Sequence, residues 1–476
     1  MTDDTTPTTA KAPAGTPHRI VVLGGGFGGI YTALRLQKKL KGRDDVQVTL
    51  ISRDNYFLMT PLLFEAGSGI LEPRHAVNPI RPLFKRVQFV EGEITRVDFE
   101  EKNVISVLSN GDEYTTPFDE LVVALGSITN TSLVPGSNNA FTFKTMGDAI
   151  HVRNHLIDCF ERADVELDPK RKQALMTIVV VGGGLVGVEL IGEFTEFVAN
   201  VTRHYRNVPE GAEQFILIEA GDRLMAEMSE DLSSYAKGIL QSRGVIVRNG
   251  VRVKAMARGK VIVSDTETIE AETIVISTGV KPSPLIAHFP LAKDRRGRIA
   301  VDGTMRSTSH PYVWALGDCA AVPDPSVPDK FYPPLAQHAI REARLLADNI
   351  LCAMEGKPTQ VFKYESKGTL ASLGQFKGVG KVYKFKIKGF IAWWVWRSYY
   401  LMQMPRINRQ IRIMLDWTIT LFFKNDLVKM DVACRPPGDP PEPRPQEEAR
   451  IEDPTRERAN GSDGRPQQSQ VPAANG

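Results

Sequence analysis

The chain alternates short apolar runs rich in β-branched residues with longer segments in which apolar residues recur at helical spacing. The apolar runs read RIVVLG, VQVTLIS, ELVVALG, TIVVVG, QFILIE and TIVISTG, and helical patterns occupy residues 30–41 and 185–205. Strands and helices in alternation are typical of parallel βαβ units, so an α/β fold is expected. Several runs end in glycine, which places tight turns at the carboxyl ends of strands, where open α/β sheets bind ligands.

Other segments depart from this pattern. VEGEITRVDFEEKNVISVLSNGDEYTT, with a turn at Asn110-Gly111, and VRVKAMARGKVIVSDTETIEA, with a turn at Gly259, predict small antiparallel meanders. Residues 377–429 contain eleven Lys or Arg against two Asp, and they hold four of the five tryptophans. Beyond Cys434 the sequence is rich in proline and charge and has almost nothing to bury, which predicts disorder.

Composition and charge narrow the possible functions. Of the 476 residues, 42% are apolar and 24% are charged, and a net charge of +3 gives no reason to expect nucleic-acid binding. No run approaches the apolar length that a transmembrane helix needs, and the polar, acid-containing N-terminus predicts a flexible tail rather than a targeting signal. The four cysteines are too scattered for a zinc site or an adjacent redox disulfide, so no metal is expected.

The most informative motif is a glycine-rich GxGxxG turn that occurs twice, each time after a strand pattern and before a helical one. Its first glycine permits the turn, the second lets the backbone approach a pyrophosphate, and the third lets helix and strand pack closely. Phosphates are favoured there by the free N–H groups and the dipole of the helix N-terminus. The alternative is a purely structural turn. The glycines are Gly24, Gly26 and Gly29 in the first turn, and Gly182, Gly184 and Gly187 in the second.

The residue that ends the next strand differs between the two turns. After the second turn, QFILIE ends on Glu219, which is placed to bind a ribose 2′-hydroxyl and repel a 2′-phosphate, so NADH is expected over NADPH. A solvated carboxylate is the alternative. After the first turn, VQVTLIS ends on Ser52, which would bond a ribose hydroxyl more weakly than a carboxylate would.

Later strand ends complete a recognisable set, formed by Gly126 in ELVVALGS, Gly279 in TIVISTG and Gly317-Asp318 after VWAL. Over residues 18–360 the chain resembles the flavoproteins with two dinucleotide-binding domains. This resemblance implies that the first turn holds FAD and the second NADH, that Asp318 binds the flavin ribityl chain, and that the NADH domain is inserted in the FAD domain.

The resemblance also implies a domain organisation and two sets of ligands. The expected segments are a flexible tail (1–17), the FAD domain in two parts (18–130 and 299–360), the NADH domain (131–298), a C-terminal membrane-associating or dimerisation region (361–434) and a disordered tail (435–476). The residues expected to hold FAD are Gly24, Gly26, Gly29, Ser52, Gly126, Asp318, Ala336 and Gln337. Those expected to hold NADH are Gly182, Gly184, Gly187, Glu219 and Gly279.

Within that superfamily, YPPLAQHAIREARLLADNI is similar to the type II NADH dehydrogenases, which carry Ala-Gln-x-Ala-x-Gln at a helix start beside the flavin and quinone. Ala336 and Gln337 match, but Arg341 stands where the second Gln is usual. The resemblance implies that Gln337 and Glu189 are catalytic and that Gln337 and Arg341 contact the quinone. The alternatives are that Gln337 is an ordinary helix-start residue and that Glu189 and Glu193 are solvated.

The C-terminal pattern predicts contact with a membrane. At helical spacing Ile407, Ile411, Met414, Leu415 and Phe422 fall on one face, opposite Arg406, Arg409, Arg412 and Asp416, and the preceding IAWWVWRSYYLM has a composition favoured at lipid headgroups. A dimerisation surface or a core-packed helix pair is the alternative. The expected enzyme is a peripheral, non-pumping NADH:quinone oxidoreductase, a homodimer on the cytoplasmic side of the cell membrane.

Two other functions are compatible with the same fold. A sulfide:quinone oxidoreductase would need Cys159 or Cys352 at the flavin, yet both lie in helical patterns and are expected to be core residues. A redox-sensing protein that binds NADH and docks to membranes would turn over slowly with any acceptor. Its partner-facing element would be the tail that begins at Arg435.

Overall fold

The computed structural model describes residues 17–423 and 427–429. The predicted disordered tail (435–476) and residues 1–16 of the predicted flexible tail (1–17) therefore lie outside the described residues. No helix in the described ranges is both long and apolar enough to cross a membrane.

The strands follow the apolar runs and the two predicted meanders, and further short strands lie between them. In chain order the strands are β1 His18–Leu23, β2 Val46–Ser52, β3 Tyr56–Leu58, β4 Val77–Pro79, β5 Gln88–Glu91, β6 Glu93–Asp98, β7 Asn103–Val107, β8 Glu113–Pro117, β9 Glu120–Val123, β10 Ser127–Thr129, β11 Thr177–Val181, β12 Gln214–Glu219, β13 Val245–Asn249, β14 Ala255–Ala257, β15 Lys260–Ile262, β16 Thr268–Glu270, β17 Thr273–Ile276, β18 Val280–Pro282, β19 Ile299–Ala300, β20 Val313–Ala315, β21 Ala320–Ala321, β22 Gly368–Ser372, β23 Gly378–Val382 and β24 Phe385–Lys388.

The helices include the two predicted after the glycine turns, with ends that differ from the sequence pattern by a few residues. In chain order the helices are α1 Phe27–Lys39, α2 Leu63–Gly67, α3 Met146–Val165, α4 Pro169–Leu175, α5 Leu185–Thr202, α6 Glu230–Ser242, α7 Ala336–Met354, α8 Gly389–Gln403 and α9 Ile407–Ile419.

Two parallel sheets form the framework of the fold, which confirms the predicted α/β class. The first has the strand order β20-β9-β1-β2-β5 and the second has the order β13-β12-β11-β17. All the pairings in both sheets are parallel, and the inner strands β1 and β11 are buried along most of their length. Each inner strand leads directly into a glycine turn and then into α1 or α5, so both turns lie at carboxyl strand ends.

A two-stranded antiparallel ribbon joins the chain on either side of the second sheet. Ser127 to Thr129 of β10 pair with Pro282 to Val280 of β18. Because the chain leaves the first sheet before this ribbon and returns to it at β20 afterwards, the second sheet is inserted in the first unit, as the resemblance implies. The residue boundaries 130/131, 298/299 and 360/361 stay a prediction.

Both predicted meanders are present as antiparallel sheets, formed by β6 to β8 and by β14 to β16. Asn110 and Gly111 lie in the turn between β7 and β8, and Gly259 with φ +70° joins β14 to β15.

The C-terminal region consists of the sheet β22-β23-β24 followed by α8 and α9. On α9, Ile407, Ile411, Met414 and Leu415 are exposed as predicted, whereas Phe422 lies beyond the helix end. The prediction for α8 was partly wrong, since Trp393 and Trp396 are buried.

The cysteines were placed partly correctly from the sequence. Cys159 is buried within α3, as expected of a core residue. Cys352 is half-buried in the last turn of α7, so the expectation that it is a core residue was wrong. The reason is that α7 is amphipathic and its inward face near this end is formed by Asn349 and Ile350.

Candidate functional site

In the first glycine turn, backbone geometry accounts for two of the three glycines. Gly24 has φ +105°, a region that side-chain-bearing residues rarely adopt, and a Cβ there would also overlap the Ala124 carbonyl. A Cβ on Gly29 would overlap the Gly24 carbonyl, because α1 packs directly against the turn. These two positions explain why the strand can reverse into the helix so tightly.

The second turn repeats this geometry. Gly182 has φ +113° beside the Ser277 carbonyl, and a Cβ on Gly187 would overlap the Gly182 carbonyl. The two turns therefore share one backbone geometry on two separate sheets.

The middle glycine of each turn faces space instead of protein. A Cβ on Gly26 or Gly184 would meet no described atom within 4 Å, and both residues have extended backbone angles that any residue can adopt. Both are helix N-caps without a described side-chain cap, so the first N–H groups of α1 and α5 are available to an anion. This open, uncapped cradle fits the pyrophosphate of a dinucleotide at each turn.

The predicted strand-end residues both touch their turns. Glu219 accepts hydrogen bonds from Gly183 N–H (2.5 Å, at Oε2) and from Gly221 N–H (2.6 Å, at Oε1). Its carboxylate therefore stands beside the second turn, which is where the predicted ribose contact requires it. Ser52 is buried, and a Cβ on Gly25 would contact its hydroxyl.

Asp318 lies in a polar cluster that joins three separate parts of the chain. Its Oδ2 accepts a hydrogen bond from Ser127 Oγ (2.5 Å), and Lys144 Nζ donates to the same hydroxyl (2.8 Å) and lies 3.9 Å from Oδ2. Partial burial lowers the pKa of Lys144, and the charge of Asp318 offsets part of this shift. The predicted turn glycines Gly126 and Gly279 have φ +63° and +102° and border open space.

The start of α7 brings together the residues of the Ala-Gln motif. Ala336 is the first helical residue, and its helix has no described side-chain cap at Leu335. Gln337 Nε2 donates to Ser366 Oγ (3.2 Å), and Arg341 Nη1 donates to the Gln337 carbonyl (2.7 Å). The Arg341 guanidinium stacks over the Tyr364 ring at 4.3 Å. The arginine is thus turned towards the residues that lead into β22.

Glu189 is buried, so the alternative that Glu189 and Glu193 are solvated was wrong. Its Oε1 accepts hydrogen bonds from Ser372 N–H (2.9 Å) and from Trp396 Nε1 (3.0 Å). Burial raises the pKa of Glu189 to about 8, although both hydrogen bonds favour the ionised form. The carboxyl therefore holds a proton near neutral pH.

Sequence reasoning missed several residues around these groups. Ser127 follows Gly126 directly and had a weak positional signal, but nothing local marked Lys144 or Ser372. Glu342 was given no role from the sequence, yet it is buried and accepts a hydrogen bond from Gly317 N–H (2.8 Å). Burial raises the pKa of Glu342 to about 7. Its position under the Gly317-Asp318 turn was not visible in the periodicity.

Two parallel sheets, each with an open glycine cradle and a polar residue at the next strand end, define a flavoprotein with two dinucleotide-binding domains. A protein-family profile described as pyridine nucleotide-disulphide oxidoreductase matches residues 18–343, and one described as the NDH2 C-terminal domain matches residues 366–426. The chain belongs to the type II NADH:quinone oxidoreductase family.

Individual relatives support this assignment. The chain is 31% identical over 419 residues to a probable NADH dehydrogenase of Dictyostelium discoideum, covering 86% of this chain and 91% of that protein. It is 31% identical over 425 residues to a type II NADH:quinone oxidoreductase of Mycobacterium tuberculosis, covering 85% and 88%.

Solved structures agree on the fold. NDH2 of Plasmodium falciparum in complex with NADH has a TM-score of 0.78 at 21% identity, covering 87% of this chain and 100% of that one. The sulfide:quinone oxidoreductase of Aquifex aeolicus has a TM-score of 0.61 at 19% identity, covering 90% and 100%. Since the fold is common to both, the family assignment rests on the sequence relatives.

Proposed function

We propose that this chain oxidises NADH and reduces a membrane quinone through FAD held at the first glycine turn. The observation that carries the proposal is the pair of open cradles at Gly26 and Gly184, one on each sheet, in a chain of this family. In steady state, NADH oxidation by the FAD-loaded protein should depend on added quinone. Quinone-independent oxidation at the same rate would exclude a quinone as the principal acceptor.

The residues fit FAD at the first turn. Gly24, Gly26 and Gly29 would hold its pyrophosphate at the start of α1, Ser52 would face its adenosine ribose, and Asp318 its ribityl chain. When bound, FAD supplies the group that accepts hydride from NADH and passes two electrons to the quinone. The protein contributes orientation, through the rigid strand ends, and an uncapped N-terminus at Ala336 that favours negative charge near the flavin.

At the second turn, Gly182, Gly184 and Gly187 bind the NADH pyrophosphate, and Gly279 borders the same cradle. Glu219 uses two of its lone pairs on Gly183 and Gly221, and each oxygen keeps a further lone pair for a ribose hydroxyl. A 2′-phosphate in that position would lie beside a carboxylate and be repelled. The site therefore selects NADH.

Glu219→Gln is expected to relax this selection. The amide keeps an acceptor but removes the charge that strengthens the ribose hydrogen bond and repels a phosphate. We expect the KM for NADH to rise about tenfold and the preference for NADH over NADPH, measured as a ratio of kcat/KM, to fall about tenfold or more. The exposed Glu227→Gln serves as a matched control. An unchanged preference in Glu219→Gln would show that Glu219 does not face the ribose.

On the acceptor side, Gln337 and Glu189 are the proposed catalytic residues, and Gln337 and Arg341 the proposed quinone contacts. Gln337 is held by Ser366, and Tyr364 Oη lies 3.4 Å from its Oε1. Because the Arg341 guanidinium is stacked on the Tyr364 ring, its proposed contact with the quinone is made from beside this ring.

The membrane side of the enzyme is proposed to be the exposed face of α9. Ile413 is buried and Trp417 Nε1 donates to Glu65 (2.6 Å), so one side of the helix packs on the protein. The opposite apolar side, with Ile407, Ile411 and Leu415, faces solvent. A helix fixed in this way presents an apolar stripe, with arginines beside it, to the plane of a lipid headgroup layer.

Replacing Ile411 and Leu415 with aspartate is expected to weaken membrane binding. Burying two such side chains contributes roughly 3–6 kcal/mol, so sedimentation with anionic liposomes should fall at least about tenfold. Leu167→Asp, in an almost fully exposed position between α3 and α4, is the matched control. If the double variant binds liposomes as the wild type does, this face of α9 is not the docking surface.

We further propose that the protein is a homodimer on the cytoplasmic side of the cell membrane. In this dimer both copies would place the exposed apolar side of α9 on the same membrane surface. Sedimentation equilibrium in detergent distinguishes a dimer from a monomer. A monomer at working concentrations would remove the dimer from the proposal.

A sulfide:quinone reaction is the second candidate, favoured only by the shared fold. Cys159 lies 3.4 Å from His155 Nε2 within the α3 packing, and burial raises the pKa of its thiol to about 12. Burial likewise raises the pKa of Cys319 to about 12. Thiols that stay protonated are poor nucleophiles towards sulfide-derived sulfur, and Cys352 lies in the last turn of α7.

A further inference from the structure

Helix α5, which begins at the second glycine turn, carries a row of carboxyl groups on one side. Glu189, Glu193 and Glu196 are spaced by four and three residues, so they follow one another along a single helical face. Glu189 and Glu193 are buried, with Glu193 only 1% exposed, whereas the side chain of Glu196 is 24% exposed. The row therefore leads from the protein surface to the proposed catalytic carboxyl.

Contacts with the last residue of β22 and with the loop that follows it hold the row in place. Ser372 donates its backbone N–H to Glu189 and its hydroxyl to Glu193 Oε1 (3.2 Å). Glu196 Oε1 accepts from Gln375 N–H (2.8 Å) and pairs with Arg243 Nη2 (2.8 Å). The other oxygen of Glu193, Oε2, is buried and has no hydrogen-bond partner among the described residues. A buried carboxyl oxygen in that state calls for a bound water or for a transferable proton.

The charges around Glu193 come from several elements. Burial raises the pKa of Glu193 well above its ordinary range, and the carboxyls of Glu196 and of Glu65 in α2 raise it further. Arg397 in α8 opposes this shift. Burial also raises the pKa of Glu196, against the attraction of Arg243. The pKa of Glu189 is raised by burial as well, so the surroundings of both inner carboxyls favour their protonated forms.

We propose that Glu196 and Glu193 form a proton-entry route that supplies Glu189 with the solvent proton needed to complete quinol formation. The inference rests on the proposed function. The hydride from NADH brings two electrons and one of the two hydrogens of the quinol, and the other hydrogen is a proton from water. The O–H bond of Glu189 breaks as an O–H bond forms on the quinone oxygen. Glu193 then reprotonates Glu189, and Glu196 passes a proton from solvent to Glu193. One proton is therefore taken up from water for each quinone that is reduced.

The test separates the two half-reactions of the FAD-loaded, full-length protein. Glu193→Gln keeps an acceptor for the Ser372 hydroxyl but removes the transferable proton. Flavin reduction by NADH, and reoxidation of the NADH-reduced enzyme by a soluble ubiquinone analogue, are followed by anaerobic stopped flow in H₂O and D₂O from acid to alkaline pH. Glu210→Gln, in an exposed turn, is the matched control.

We expect Glu193→Gln to slow the quinone step roughly ten- to a hundredfold, with NADH reduction within about twofold of the wild type. The slowed step should show a larger solvent isotope effect and should be partly restored by a small weak acid such as formic acid or imidazolium. The infrared band of a protonated carboxyl in the wild type should also lose intensity in the variant.

Three results would overturn the route. One is a quinone step within about twofold of the wild type. The second is equal slowing of both half-reactions. The third is slow reoxidation with an unchanged solvent isotope effect and no rescue by the weak acid. Either of these two results would mean that Glu193 acts through packing alone. If the reduced wild type is not reoxidised by the quinone at all, the proposed function fails, and that outcome is distinct because it appears without any substitution.

Discussion

Gly184→Asp is expected to abolish reduction of the flavin by NADH while leaving FAD bound. The backbone of Gly184 is extended and a Cβ there meets no described atom within 4 Å, so the fold accepts a side chain. The new carboxylate would project into the cradle and face the pyrophosphate. At an effective dielectric constant of about 20, two like charges some 4 Å apart repel by about 4 kcal/mol, so the second-order rate constant for flavin reduction by NADH should fall at least about a hundredfold.

The equivalent change in the first turn gives the opposite result and is the matched control. Gly26→Asp should yield folded protein that does not retain FAD, since Gly26 has the same open surroundings on the other sheet. Gly184→Asp should keep full FAD content and remain reducible by dithionite. Loss of FAD in both variants, or unimpaired NADH reduction in Gly184→Asp, would contradict the division of the two turns between the two cofactors.

Arg397→Met is expected to give the largest loss of stability. The Arg397 guanidinium donates to Glu65 Oε1 (2.8 Å) and lies between the rings of Trp393 (4.2 Å) and Trp417 (4.6 Å). Glu65 is fully buried in α2, so removing the arginine leaves a buried carboxylate with Trp417 as its remaining described side-chain donor. Losing one member of such a pair costs about 3–5 kcal/mol. The free energy of unfolding of the FAD-loaded protein, from urea denaturation, measures this loss.

A second substitution tests the cause. Glu65→Gln added to Arg397→Met removes the unpaired charge and should restore a large part of the lost stability. Arg412→Met, on the exposed side of α9, should change the free energy of unfolding by less than about 1 kcal/mol. A small effect of Arg397→Met, or no recovery in the double variant, would mean that the Glu65–Arg397 pair does not hold the C-terminal helices on the flavin domain.

The glycine turns could be predicted from sequence because their constraints are local. A positive φ at Gly24 and Gly182, and the close contact of Gly29 and Gly187 with residues five positions earlier, leave glycine as the fitting residue. The parallel sheets followed from the strand–turn–helix order for the same reason. The identity of Glu219 as a strand-end acid was equally visible, since the residue ends the strand that follows the turn.

The interior polar contacts could not be predicted, because their partners are distant in sequence. Glu65 meets Arg397 across 332 positions, and Glu189 meets Trp396 across 207. Helical periodicity identified the segment of α5, and composition identified that of α8, but neither showed which faces would be covered. The tryptophans of α8 were therefore assigned to lipid headgroups, although two of them are buried.

The most direct test of NADH:quinone transfer is an anaerobic titration of the purified protein, followed by flavin absorbance. NADH is added first, and a ubiquinone or menaquinone analogue second. We expect bleaching by NADH and recovery on quinone, both faster than steady-state turnover. Bleaching without recovery, or bleaching by sulfide in place of NADH, would contradict the proposed function.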